Sequence, residues 1–255
     1  MTVHLIQTTR RTGKTLAVLG IRYLSRQKST VRMSRVDGGW RVQNTETGEY
    51  YDFPSFPQSI HIAHIGNGYA EFLGDKYQLD GFVKVEEGDH VVDIGPYVGA
   101  FIAYIEGRAE RISALEPSPD TARLLESRWQ DDSHIDILNL AAWDESASLE
   151  FQLGPDASDN SAINIDKGDQ IDAVTVDAVR LDDQFDRIDF LKVEAEGTEP
   201  EVLEGASGCH IDRIAVDASP EREGASTVEP VREELEKQGY ETATEEHMVF
   251  GRSQQ

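Results

Sequence analysis

Three clusters in this chain have the residue types and spacing to do chemistry. The first is Asp93-Ile94-Gly95-Pro96-Tyr97-Val98-Gly99. It lies between an apolar run at 91–94 and a helical stretch at 98–106, where an open α/β sheet forms its ligand crevice. Gly95 permits a tight turn and close approach of a ligand to bare backbone. Gly99 lets the following helix come near, and Tyr97 occupies the middle of the loop. Asp93 can accept hydrogen bonds from the turn or meet an ammonium group. The second cluster is Glu116-Pro117-Ser118-Pro119, with its acid 23 residues after Asp93. A carboxylate that closes a strand in this position can accept both hydroxyls of an adenosine ribose. Pro119, with Ser118 as cap, starts a helix. The third is Lys192-Val193-Glu194-Ala195-Glu196-Gly197-Thr198-Glu199, a charged run closing a buried strand.

The glycine loop is not G-x-G-x-x-G, and nothing in it clamps a diphosphate. That favours S-adenosylmethionine over NAD, because its amino acid end is zwitterionic and its sulfonium is positive. A further strand, at 135–140, leads into Ala141-Ala142-Trp143-Asp144. The small Ala141 leaves room for a flat adenine, and Trp143 either lines that space or belongs to the core. Charges at the end of a buried strand are costly without partners or a purpose. Lys192 and Glu194 share one side of an extended segment, as does Glu196 if the extension continues. Either a lysine–carboxylate pair caps the sheet, or Lys192, Glu194 and Glu196 form the catalytic group. In the second reading one carboxylate orients or deprotonates an acceptor hydroxyl. No metal is expected: His61 and His64 are three apart without a third ligand. The lone Cys209 excludes an internal disulfide and reads as a small buried residue.

The elements that must position these groups alternate at βαβ spacing. Strands are expected at 91–94, 112–115, 135–140, 174–179, 188–193 and 213–216, and helices at 98–106, 119–129, 199–204 and 228–238. A final antiparallel pair at 240–244 and 247–250 follows, and 149–153 reads as a hairpin arm. This pattern implies an α/β fold: a Rossmann-like, mostly parallel seven-stranded sheet with helices on both faces. Before it, 31–53 reads as a small antiparallel meander and 68–79 as a short helix with an aromatic side. The expected division is 1–80, a basic arm and small cap, then 81–255, the main domain.

The chain has 255 residues, with 48 acidic and 24 basic side chains and a net charge of −24. Such a field repels phosphates, so nucleic acid is not an expected partner. The composition resembles that of salt-loving archaea. No run of about 20 apolar residues spans a membrane, and a cytoplasmic location is expected. Residues 1–36 differ, with Arg10, Arg11, Lys14, Arg22, Arg26, Lys28, Arg32 and Arg35 and no acid. That arm can fold onto the acidic body, meet a second copy in a homo-oligomer, or contact an anionic membrane or glycolipid at the inner membrane surface.

DIGPYVG, ALEPSP and LKVEAEGTEPEVLEGA, in that order and spacing, resemble the FkbM family of S-adenosylmethionine-dependent methyltransferases over about residues 80–218. The family's segments usually read DIGAN-x-G, EP-x-P, and K-x-D-x-EG-x-E before a vLxGa helix. The resemblance implies O-methylation of hydroxyls on sugars, polyketides, and other small or lipid-linked molecules, including glycans on lipid carriers. It implies Asp93, Gly95 and Gly99 in the cofactor loop and Glu116 on the ribose. Lys192, Glu194, Glu196 and Glu199 match the late motif, on the substrate side or as structure. Three departures stand out: Pro96-Tyr97 for a small residue and asparagine, Glu194 for aspartate, and Asp217 for the glutamate often found in the following strand. A non-catalytic relative that keeps the fold for binding or scaffolding is the alternative.

Overall fold

The structure is a computed structural model that describes residues 30–153, 172–220 and 225–254. The basic arm before residue 30 and the polar loop at 156–160 lie outside the described residues. The chain divides into two compact units, Met1–Tyr69 and Ala70–Gln255. The division falls after Tyr69 rather than after residue 80.

In the smaller unit, β1 (Val31–Val36), β2 (Gly39–Asn44) and β3 (Tyr50–Phe53) form the expected antiparallel meander. The first hairpin turns through Asp37 and Gly38, with Gly38 at φ 77°. The short helix α1 (Ser59–Gly66) follows, where a histidine-bearing loop was expected. His61 is buried and packs against Phe53 at 5.7 Å between ring centres. His61 therefore serves packing.

The larger unit begins with most of α2 (Tyr69–Lys76) and continues into alternating elements. These are β4 (His90–Ile94), α3 (Ala100–Ile105), β5 (Arg111–Leu115), α4 (Pro119–Trp129) and β6 (Ile135–Leu138), followed later by β10 (Arg187–Val193), α5 (Glu199–Gly205), β11 (His210–Asp217), α6 (Val228–Lys237), β12 (Tyr240–Glu245) and β13 (Met248–Ser253). The sheet order is β12-β13-β11-β10-β4-β5-β6. The central strands pair in parallel, and β13 runs antiparallel to both its neighbours. The chain steps from β4 out to β6 in one direction and from β10 to β11 in the other. Right-handed crossovers then place α3 and α4 on one face and α5 and α6 on the opposite face. Strands buried on both sides need continuous apolar runs, which is why Val91, Val92, Ile188, Phe190 and Leu191 are all solvent-free. Val202, Leu203, Val231 and Leu235 of α5 and α6 pack with Val92, Leu191 and Val193. On the other face, Phe101 of α3 meets Phe190 at 6.0 Å between ring centres.

A second small sheet, β7 (Ala141–Ala142), β8 (Ala147–Leu153) and β9 (Asp172–Val179), has the order β7-β9-β8. The expected strand at 135–140 therefore stops at Leu138. Ala141 starts a different sheet by pairing with Ala178. No helix among the described residues is long and apolar enough to cross a membrane.

Candidate functional site

The strand order brings the three clusters together. β4, β5 and β10 are neighbours, and all three point their carboxyl ends the same way. The winding direction switches between β4 and β10, and the general ligand position of such sheets lies beyond those strand ends.

At the end of β4 the chain turns through Gly95 at φ 70°. A Cβ on Gly95 would sit 2.0 Å from the Glu194 carbonyl oxygen, so no larger residue fits between the two strand ends. Tyr97 is also left-handed, at φ 52°. Asparagine tolerates that region well; a bulky aromatic is strained there. The strain is held by a hydrogen bond: the Tyr97 N–H donates to Glu116 Oε2 at 3.2 Å. Gly99 caps α3 at φ 79°, but the space beside it is taken. A Cβ there would sit 2.3 Å from the Trp129 ring. Gly99 therefore serves the close approach of α4 to the start of α3.

Glu116, 6 % exposed, follows β5. Its Oε1 accepts the Ser118 N–H at 2.9 Å, and its strand end is braced by Asn139 Nδ2, which donates to the Glu116 carbonyl at 2.8 Å. Burial pushes the Glu116 carboxyl up to about 7, against the pull of the Ser118 and Tyr97 N–H groups. Among the described residues no cation forms an ion pair with it. It is a hydrogen-bonding carboxylate held in nearly neutral surroundings.

The end of β10 is built oppositely. Lys192 and Asp93 are register partners across β10 and β4, so their side chains share a face. Both are buried, with Lys192 Nζ 3.0 Å from Asp93 Oδ1. The ammonium directs hydrogen bonds to the carbonyls of Gly95, at 2.6 Å, and Ile94, at 3.2 Å. The contact to Asp93 is thus ionic rather than an aligned hydrogen bond, and both Asp93 oxygens lack an aligned donor. Burial raises the Asp93 carboxyl, and Lys192 pulls against that rise. Lys192 is therefore a structural cation that ties the glycine turn to β10, not a group exposed to an acceptor.

Glu194 lies between two cations. Lys76 Nζ is 2.9 Å from its Oε1, and Lys192 Nζ is 3.5 Å from its Oε2. Lys76 also meets Asp217 at the end of β11, at 2.6 Å. Burial alone would raise Glu194, but Lys76 and Lys192 outweigh it and hold the carboxyl at about 2. A carboxylate held so low is a weak base. The lysine–carboxylate pair that caps the sheet is real, and it includes a residue that local patterning missed: Lys76, 118 positions earlier in the chain.

Extension ends at Glu194, so Glu196 does not simply share its side. Glu196 has φ 50° and Gly197 φ 93°. This loop is held from the start of α5. Buried Glu199 accepts the Gly197 N–H at 2.8 Å on Oε1 and the Thr227 hydroxyl at 2.7 Å on Oε2. Of the charged run, Glu199 positions the loop and Glu196 is presented by it in a strained backbone conformation, a state that clusters at functional sites.

Ala141 and Trp143 belong elsewhere. Ala141 is buried with Phe151, Val176 and Ala178 in a core of the small sheet, and Trp143 packs against it. The Trp143 N–H donates to Val179, and its carbonyl lies where a Cβ on Gly205 would be. These contacts are packing, which corrects the adenine-lining expectation. Cys209 donates to the Phe185 carbonyl at 3.0 Å, and burial pushes its thiol up to about 12, so it is not a nucleophile.

The sequence matches the methyltransferase FkbM domain family over residues 93–242. It is 25 % identical over 236 residues to Methyltransferase 1 of Beauveria bassiana, a match covering 80 % of this chain and 90 % of that protein. Among solved structures, it is similar to the methyltransferase FkbM of Methylobacillus flagellatus. The TM-score is 0.48 at 15 % identity, covering 77 % of this chain and 56 % of that one. This chain thus spans a little over half of that protein's length. It is also similar to fibrillarin of Aeropyrum pernix, solved with S-adenosyl-L-methionine, with a TM-score of 0.44 at 16 % identity, covering 87 % of this chain and 98 % of that one.

Proposed function

The chain belongs to the FkbM methyltransferase family, and on that premise we propose that it transfers a methyl group from S-adenosylmethionine to a hydroxyl oxygen of a small molecule, sugar or lipid-linked glycan. The observation that carries this reading is the hydrogen bond from the Tyr97 N–H to Glu116. It joins the glycine turn of β4 to the acid of β5, so one nucleoside can meet both.

The residues fit that cofactor. The Asp93 carboxylate is buried without an aligned donor, Gly95 offers backbone with no side chain, and Glu116 keeps acceptor capacity beyond its two N–H partners. Asp93 and the 95–97 backbone would hold the amino acid end, and Glu116 the ribose hydroxyls. When bound, S-adenosylmethionine supplies an electrophilic methyl carbon on a sulfonium. The chain contributes orientation and exclusion of water, which supply most of the acceleration such a displacement needs. Glu194, kept anionic, orients the acceptor by accepting a hydrogen bond from a second hydroxyl beside the reacting one. Glu196 takes the proton that the reacting hydroxyl loses.

Acidic composition and a basic start of the chain support a cytoplasmic enzyme working at a membrane surface, with residues 1–36 toward a lipid-linked acceptor. The test is a screen of hydroxylated sugars and glycolipids with methyl-labelled cofactor in high salt. Labelled product is expected. Glu196→Gln should slow turnover about 10²-fold, a typical contribution of one general base, with cofactor affinity kept. Cofactor binding without transfer to any acceptor would favour the non-catalytic reading instead.

A further inference from the structure

The charged groups at the strand ends form an alternating chain: Asp93, Lys192, Glu194, Lys76 and Asp217. Successive ion contacts are 3.0, 3.5, 2.9 and 2.6 Å. Four members come from adjacent strands β4, β10 and β11 or the segment that ends β10. Lys76 alone comes from outside the sheet, on the last turn of α2. Its ammonium bridges the ends of two strands, contacting Glu194 after β10 and Asp217 on β11, as the Lys192 ammonium bridges β4 and β10. Asp217 is itself fixed, because its Oδ1 accepts the Ser219 hydroxyl at 2.6 Å and the Ser219 N–H at 3.1 Å.

Tyr77, the next residue, makes this attachment rigid. Its ring is solvent-free, with Lys76 Nζ 4.8 Å and Lys192 Nζ 5.1 Å from the ring centre. The ring also packs on Phe101 at 5.4 Å. An aromatic ring this close to an ammonium group favours its charge. The groups facing Glu194 are thus Lys76 and Tyr77 from α2 and its end, Lys192 from β10, Asp93 from β4 and Asp217 from β11.

We propose that Lys76 is a positioning residue for the acceptor side of the site. Resting on the methyl-transfer reading, it assigns Glu194 one role. With Oε1 on Lys76 and Oε2 beside Lys192, the carboxylate is a fixed anion that orients the acceptor and does not take the proton of the reacting hydroxyl. Lys76 matters through Glu194 and Asp217 and touches no reacting atom itself.

The test follows the Glu194 carboxyl carbon by ¹³C NMR in the full-length chain, its resonance identified by its absence from Glu194→Gln. In the unaltered protein it should stay ionised from pH 8 down to pH 4. In Lys76→Met its midpoint should rise by about 1–3 pH units, the effect of removing one adjacent opposite charge. Lys76→Arg should restore the low midpoint. An unchanged midpoint in Lys76→Met, or ordinary titration of Glu194 in the unaltered protein, would overturn the proposal. If Lys76→Met does not fold, Lys76→Gln and the unaltered protein still decide it. Calorimetry with S-adenosylmethionine on the same samples is separate: failure to bind there sinks the methyl-transfer reading and leaves the NMR result standing.

Discussion

Glu116 and Glu194 close strands of the same sheet, one strand apart, and their surroundings are opposite. Glu116 is buried among backbone N–H groups, with its carboxyl raised to about 7. Glu194 sits between Lys76 and Lys192, with its carboxyl lowered to about 2. Identical side chains thus acquire different chemistry. The first keeps free acceptor capacity for neutral hydroxyls, and the second is a permanent anion. Environments that push two acids apart in this way mark a division of roles.

The contrast also fixes opposite pH windows. Folding raises Glu116 from 4.5, so its stabilising contribution is complete below pH 4.5 and is lost as pH rises through about 7. Folding lowers Glu194 from 4.5, so its contribution is present above pH 4.5 and is lost as pH falls through about 2.

The largest expected effect breaks the cationic side. Lys192→Met leaves Asp93 buried without its counter-charge and should destabilise the protein by about 3–5 kcal/mol in chemical denaturation. Adding Asp93→Asn should recover part of that loss. Additive losses in the double variant would show that the two do not act as a pair. Next, Glu116→Gln removes a charge that folding disfavours. Thermal melting at pH 8 should show a gain of about 1–3 kcal/mol, vanishing near pH 4.5. A gain that does not depend on pH would contradict the neutral-environment picture. The smallest effect concerns the loop between the two acids. Tyr97→Asn suits φ 52° better and should stabilise by about 1–2 kcal/mol, with the backbone bond to Glu116 kept. Destabilisation would mean that the Tyr97 ring supports the loop.

The glycine turn, the acid after β5 and the charged run after β10 were legible because each follows a short apolar strand bounded by turn residues. Local pattern is enough to find such points. Lys76 was not legible, because its partners lie 118 and 141 positions away (194 − 76 and 217 − 76), and an ion pair at that separation leaves no periodic trace. Ala141 and Trp143 misled for a related reason. Small residues after a strand look alike whether they border a ligand or pair with another strand, and β9 supplies the pairing from far along the chain. Helix α1 escaped because Ser-Ile-His-Ile-Ala-His-Ile-Gly is rich in isoleucine and histidine, and Gln58 before it makes no side-chain cap. That Gly99 also makes room for the Trp129 ring was not legible, because Trp129 lies 30 residues later (129 − 99).

Calorimetric titration of S-adenosylmethionine into the full-length protein and into Glu116→Gln, in high salt near pH 8, tests the central claim most directly. One equivalent should bind the unaltered chain, and the variant should bind about 100-fold more weakly, the loss expected when a charged acceptor of ribose hydroxyls is removed. Equal affinity in the two proteins would contradict the account, because the nucleoside would then lie somewhere other than between the β4 turn and the β5 acid.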